Sequence, residues 1–156
     1  MDYQAPERDA QFIMHDLFQV ESVWSEIPQL QDISPDVVNA VLAEAGRLAS
    51  EVMLPVNQSG DAEGCRWKDG EVTTPAGFKE AFKQMADGGW LSLCGNPEFG
   101  GQGMPKSLGC LIEEMFWAAN SSLFLYGSLS VGASLCIDAH GTEAQKRTYL
   151  EKLYSG

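Results

Sequence analysis

The chain reads as an all-α protein, a helical bundle of about five to six helices. Three features point that way. Apolar residues recur at i, i+3 and i+4 over most of the sequence, capping residues stand at the heads of those runs, and no segment alternates apolar and polar residues long enough to make a convincing strand. At 156 residues, 44% hydrophobic and 21% charged, one compact domain with its own core is the natural expectation.

Residues 1–32 read as an N-terminal arm with a short helix, and 33–156 as the helical domain proper. In the arm, Phe12, Ile13, Leu17 and Val20 give a turn or two of amphipathic helix. Ser34-Pro35-Asp36 opens the first long helix, with Ser as N-cap, Pro at the first helical position and Asp near the positive end of the dipole. Val37, Val38, Val41, Leu42, Ala45, Leu48, Ala49 and Val52 make its apolar stripe, which ends before Pro55. The polar stretch 57–73 reads as a long surface loop, with a tight turn at Trp67-Lys68-Asp69-Gly70. Thr74-Pro75 starts a second helix that buries Phe78, Ala81, Phe82 and Met85, and Gly88 or Gly89 supplies a left-handed stop.

Between Asn96 and Gly103 a proline and several glycines rule out regular structure. Residues 107–119 return to the helical period, with Leu108, Leu111, Ile112, Met115 and Phe116 on one side. Residues 123–139 are apolar nearly all round, the pattern of a central buried helix. Gly127, Ser128, Ser130, Gly132 and Ser134 lower its helix propensity, so close packing is expected against them. Gly141 ends that helix, and Thr142-Glu143-Ala144-Gln145 is a capping box for the last one.

The net charge is −12, and residues 1–63 hold only Arg8 and Arg47 as basic side chains. Phosphate-backbone binding needs clustered Lys and Arg, so nucleic acid is not an expected partner. The run 115–137 carries no charge, yet its Asn120, its serines and the lack of flanking Lys or Arg anchors disfavour a membrane span. Cys65, Cys94, Cys110 and Cys136 are too widely spaced for a zinc site, and no secretory signal precedes them. Reduced thiols and a cytoplasmic location are expected.

No residue set assembles a catalytic constellation. Gly100-Gly101-Gln102-Gly103 lacks the G-x-G-x-x-G and G-K-[ST] patterns of nucleotide sites and reads as a rigid connecting turn. Glu113 and Glu114 are helix neighbours that point about 100° apart and cannot share a proton, so they read as a solvated face. His140 reads as a helix C-terminal residue, and His15 has no ligand partner at useful spacing.

The order of motifs carries more. Gly89-Trp90-Leu91, then Pro97-Glu98-Phe99-Gly100-Gly101-Gln102-Gly103, then Glu113-Glu114-Met115, and finally Gly141-Thr142-Glu143-Ala144-Gln145-Lys146-Arg147-Thr148-Tyr149-Leu150 resembles the N-terminal helical domain of the acyl-CoA dehydrogenases. The arm Tyr3-x-Ala5-Pro6-x-Arg8-Asp9-x-x-Phe12 is similar to that of the large subfamily, which includes methylmercaptopropionyl-CoA and long-chain dehydrogenases.

The resemblance implies a parent enzyme that oxidises an acyl-CoA thioester, a carboxylate taking the α-proton while a hydride leaves to FAD. It places the FAD site and the catalytic base in later domains, so this chain is expected to hold no catalytic residue, to bind no FAD itself and to be inactive alone. It implies that Phe124, Leu125, Ser128, Leu129 and Gly132 line the acyl pocket. An electron-transfer flavoprotein partner and a homo-oligomeric full-length form are also expected. The rival reading is a stand-alone α-helical protein-interaction module; a second rival is the DNA-damage-associated branch of the same superfamily.

Overall fold

Seven α-helices and one two-stranded hairpin make up residues 3–156, the part of the chain that the computed structural model describes. In the arm, α1 (Glu7–Gln11) widens into a π-type turn over Phe12–Leu17, and α2 (Val20–Trp24) follows. Helix α3 (Pro35–Arg47) begins at the expected cap, where Ser34 Oγ accepts the Val37 N–H at 3.4 Å. It continues through a π-type turn at Leu48–Met53 and a 3-10 turn at Leu54–Val56 that contains Pro55. Then come α4 (Asn57–Glu63), strands β1 (Arg66–Lys68) and β2 (Glu71–Thr73), α5 (Phe78–Asp87), α6 (Lys106–His140) and α7 (Glu143–Tyr154).

The stretch 57–73 is therefore not a loop. Gly60 in α4 lies against the Phe78 ring, where a Cβ would collide, so a polar and Gly-containing sequence is folded by what it packs on. The tight turn does form: Asp69 (φ 52°) and Gly70 (φ 88°) occupy consecutive left-handed positions, the backbone of a hairpin turn whose twist matches its strands. It pairs Arg66 with Thr73, Trp67 with Val72 and Lys68 with Glu71. Strands of three residues, exposed throughout, are too short to show an alternating pattern. Helix α5 starts at Phe78, after Gly77 at φ 83°, rather than at Thr74-Pro75, because Pro75 first turns the chain by accepting the Phe78 N–H at 3.2 Å. Gly89 at φ 72° is the left-handed stop.

One core joins all these parts. Met14 and Trp24 from the arm, Val38, Leu42 and Met53 from the α3 region, Phe78 and Met85 from α5, and Leu108, Ile112 and Phe116 from α6 form a single buried cluster. The arm is thus part of the fold, and Tyr3 Oη donates to the Met115 carbonyl at 3.2 Å. His15 fastens the arm to α3: Nδ1 meets the Glu21 carboxylate, and Nε2 lies 2.9 Å from Asn39 Oδ1. A smaller cluster of Phe99, Leu150 and Tyr154, with Ile137 against it, holds α7 to the end of α6. The capping box at Thr142 and Gln145 is complete, each side chain accepting from the other residue's backbone N–H.

The loop at 96–104 is rigid for a stated reason. The backbone N–H groups of Gly100, Gly101, Gln102, Gly103 and Met104 all donate to backbone carbonyls of residues 92–97, at 2.9–3.2 Å. A Cβ at Gly101 would run into the Gly95 carbonyl. Asn96 completes the clamp by donating to Asp138 Oδ1 at 2.9 Å while its own N–H reaches Tyr154 Oη at 3.1 Å.

Candidate functional site

Helix α6 is 35 residues long but is not one rod. Asn120 leaves helical geometry (φ −160°, ψ 88°). Its Oδ1 accepts the Leu123 N–H at 2.9 Å, the bond an N-cap makes to the third residue of a helix. Its Nδ2 donates to the Met53 carbonyl at 3.0 Å, and the residue is fully buried. Asn120 therefore starts a second helical segment inside an apolar run, in keeping with the sequence reading of two helices, 107–119 and 123–139.

The two segments are buried differently. Leu108, Ile112, Met115, Phe116 and Ala119 of the first are all in the core. In the second, Leu123, Phe124, Gly127 and Ser134 are buried, whereas Leu125 is 50% exposed, Tyr126 48% and Leu129 74%. The expectation of a central buried helix is corrected here. The segment is apolar all round because it has two apolar faces, one packed and one open. Close packing against its small residues also holds only in part: a Cβ at Gly127 would strike Leu91, while Gly132 faces open space.

Leu125, Ser128, Leu129 and Gly132 fall at i, i+3, i+4 and i+7, so they share one face. That face is the open one, and Ser128 Oγ lies beneath its surface with no hydrogen-bond partner. Phe124 turns the other way. Its ring packs edge-on to Phe116 at 5.5 Å and to Trp117 at 5.0 Å, so it supports the segment from the core side.

Leu125 also borders a cleft of about 470 Å³ between α4, α5 and the second segment, together with Gly60, Cys65, Phe78, Ser122 and Tyr126. Cys65 Sγ lies 3.3 Å from Tyr126 Oη, and this hydrogen bond, with burial, raises the Tyr126 pKa. The sequence reading did not single out Cys65 or Phe78 for this cleft. Sixty-one residues separate Cys65 from Tyr126, and only the hairpin and α4 bring them together. A second, inner cavity of about 40 Å³ is apolar and is lined by Trp90, Leu91, Phe116, Phe124 and Leu135. Cys94 touches it, and burial pushes that thiol's pKa up, away from a nucleophilic thiolate.

The remaining candidates are structural. The 96–104 loop has no free N–H to offer a phosphate from Gly100 to Met104. Glu113, Glu114 and His140 are exposed. All four cysteines are free thiols. Among the described residues no group of three His, Cys, Asp or Glu side chains could hold a metal ion. Helix α6 is long and apolar enough to cross a membrane by length and composition alone.

The domain is all-α, leaves one apolar face of its longest helix open, and binds up the backbone donors of its glycine loop from Gly100 to Met104. The family described as "Acyl-CoA dehydrogenase, N-terminal domain" matches residues 37–156. The chain belongs to the acyl-CoA dehydrogenase family, as its N-terminal domain. It is 39% identical over 159 aligned residues to 3-methylmercaptopropionyl-CoA dehydrogenase of Ruegeria pomeroyi, covering 100% of this chain and 26% of that protein. It is 29% identical to butyryl-CoA dehydrogenase of Syntrophomonas wolfei, covering 78% of the chain and 20% of the relative. With the broad-specificity linear acyl-CoA dehydrogenase FadE5 of Mycobacterium tuberculosis the identity is 26%, covering 93% and 24% respectively. The chain thus spans 20–26% of the length of these curated relatives. This membership disfavours the reading as an unrelated interaction module.

Proposed function

We propose that this chain is the N-terminal domain of an FAD-dependent acyl-CoA dehydrogenase, and that the face formed by Leu125, Ser128, Leu129 and Gly132 is one wall of its acyl-chain pocket. The observation that carries this is the exposure of that face: Leu129 is 74% exposed and Gly132 opens onto space, on a helix otherwise apolar enough to be core. Burying such surface against an acyl chain contributes about 0.8 kcal/mol per methylene, with no directional bond required. Phe124 then acts from behind, keeping the segment in place through Phe116 and Trp117.

The glycine loop does not fit a flavin phosphate. This loop, the chain's nearest approach to a phosphate cradle, has spent its donors on backbone carbonyls of residues 92–97; family resemblance supports assigning the flavin and the base that takes the α-proton to other parts of the enzyme. Membership in the family supports an electron-transfer flavoprotein as electron acceptor and a homo-oligomeric enzyme. The four free thiols support a cytoplasmic setting.

The test is an anaerobic titration of the full-length polypeptide with butyryl-CoA, octanoyl-CoA and 3-methylmercaptopropionyl-CoA. Bleaching of flavin absorbance by at least one thioester is expected. A full-length protein that purifies without flavin, or whose flavin no acyl-CoA reduces, would overturn the reading.

A further inference from the structure

The break in α6 has no proline or glycine at its centre; it is made by one buried side chain. Asn120 stands in line with Ile112, Phe116, Ala119 and Leu123 on the packed side of the helix, where an apolar residue would bury cleanly. Its amide instead caps the second segment at the Leu123 N–H and ties that segment to the Met53 carbonyl in the α3 region. Two restraints on one side chain fix both where the second segment starts and the direction it takes.

That direction matters at a distance. At 1.5 Å per residue, Gly132 lies about 18 Å beyond Asn120, so a tilt of about 10° would move it by about 3 Å. We propose that Asn120 is a positioning residue for substrate selection: it sets where the Leu125, Ser128, Leu129 and Gly132 face stands and so how long an acyl chain the site accepts. It acts through the helix and touches no substrate. This rests on the proposed acyl-pocket function.

The experiment compares kcat and KM over a series of saturated acyl-CoA lengths for the full-length wild type, Asn120→Leu and Asn120→Ser. Asn120→Leu removes both bonds and favours a continuous helix. Asn120→Ser keeps a capping oxygen and loses the bond to Met53. One methylene in an apolar pocket is worth about tenfold or more in specificity, so Asn120→Leu is expected to shift the long-to-short ratio of kcat/KM by about tenfold, mostly through KM. Asn120→Ser is expected to fall between it and wild type, a graded rescue that a loss of stability alone would not give. If Asn120→Leu does not fold, the ratio in Asn120→Ser decides on the same criterion. A length profile unchanged in the folded variants, with wild type active, overturns this inference and leaves the function intact. A wild type that turns over no acyl-CoA overturns both.

Discussion

The two segments of α6 share a chain, a helical geometry and an apolar composition, yet one is core and the other is half bare. Before Asn120 the polar residues are grouped, with Glu113 and Glu114 on the water side and Ile112, Met115 and Phe116 inward. After it no charge appears until Asp138, and apolar residues occupy both the packed side and the open side. An apolar face left in water on a folded domain marks a surface meant for something else. The difference shows that an all-apolar helix need not be central; it can serve two partners, one inside the domain and one outside.

Substitutions can break that comparison, beginning with the packed segment. Phe116→Ala removes a ring that is 1% exposed and packs on Trp90 and Phe124. It should cost about 3–5 kcal/mol in chemical denaturation; a loss under about 1 kcal/mol would mean that the first segment is not core. At the hinge, Asn120→Ala removes the bond to the Met53 carbonyl and leaves the second segment uncapped. A cost of about 2–3 kcal/mol is expected on the same assay.

On the open segment the sign reverses. Gly132→Ala adds a Cβ that meets nothing within 4 Å, inside a helix, so the chain should gain about 0.5–1 kcal/mol in stability. Full-length enzyme carrying it should accept bulky or long acyl chains less well, read as a higher KM. Destabilisation of the chain would mean that Gly132 is packed after all. Leu129→Ala, at a residue 74% exposed, should change stability by less than about 0.5 kcal/mol. That near-silence beside the Phe116 effect is the sharpest form of the contrast.

The arm offers a subtler comparison, through pH. Burial alone would lower the His15 pKa, but its hydrogen bonds to Asn39 and Glu21 and the nearby charges of Glu21 and Asp16 together raise it. A raised folded-state pKa means that the protonated ring stabilises the fold, fully below the unfolded value near pH 6.5 and less as pH climbs through the folded value. The stability difference between wild type and His15→Gln should therefore be largest in mild acid and fade at alkaline pH. A difference independent of pH, or an imidazole NMR titration with no upward shift, would discount the clasp.

Much of the helical framework could be read from local rules. Ser34-Pro35, the Thr142–Gln145 box, Asp69-Gly70 and Gly89 each satisfy a backbone requirement within a few residues, and each sits where it was expected. What failed locally was settled by distant contacts. Helix α4 looks like loop sequence because its Gly60 is chosen for the Phe78 ring, and the Cys65 and Tyr126 cleft joins residues far apart in the chain. The residues of the candidate face could be named from resemblance, but periodicity could not divide a wholly apolar helix into its inward and outward sides.

The sequence by itself determined the all-α class, several helix ends and the family motifs, because caps, turns and apolar spacing act over one or two turns of backbone. Only the tertiary structure decided that Phe124 supports while Leu125 and Leu129 are presented to water. Which side of an apolar helix is buried depends on what packs against it, here the Phe116 and Leu91 layers, and on the direction fixed by Asn120, properties of the assembled core that no local pattern encodes.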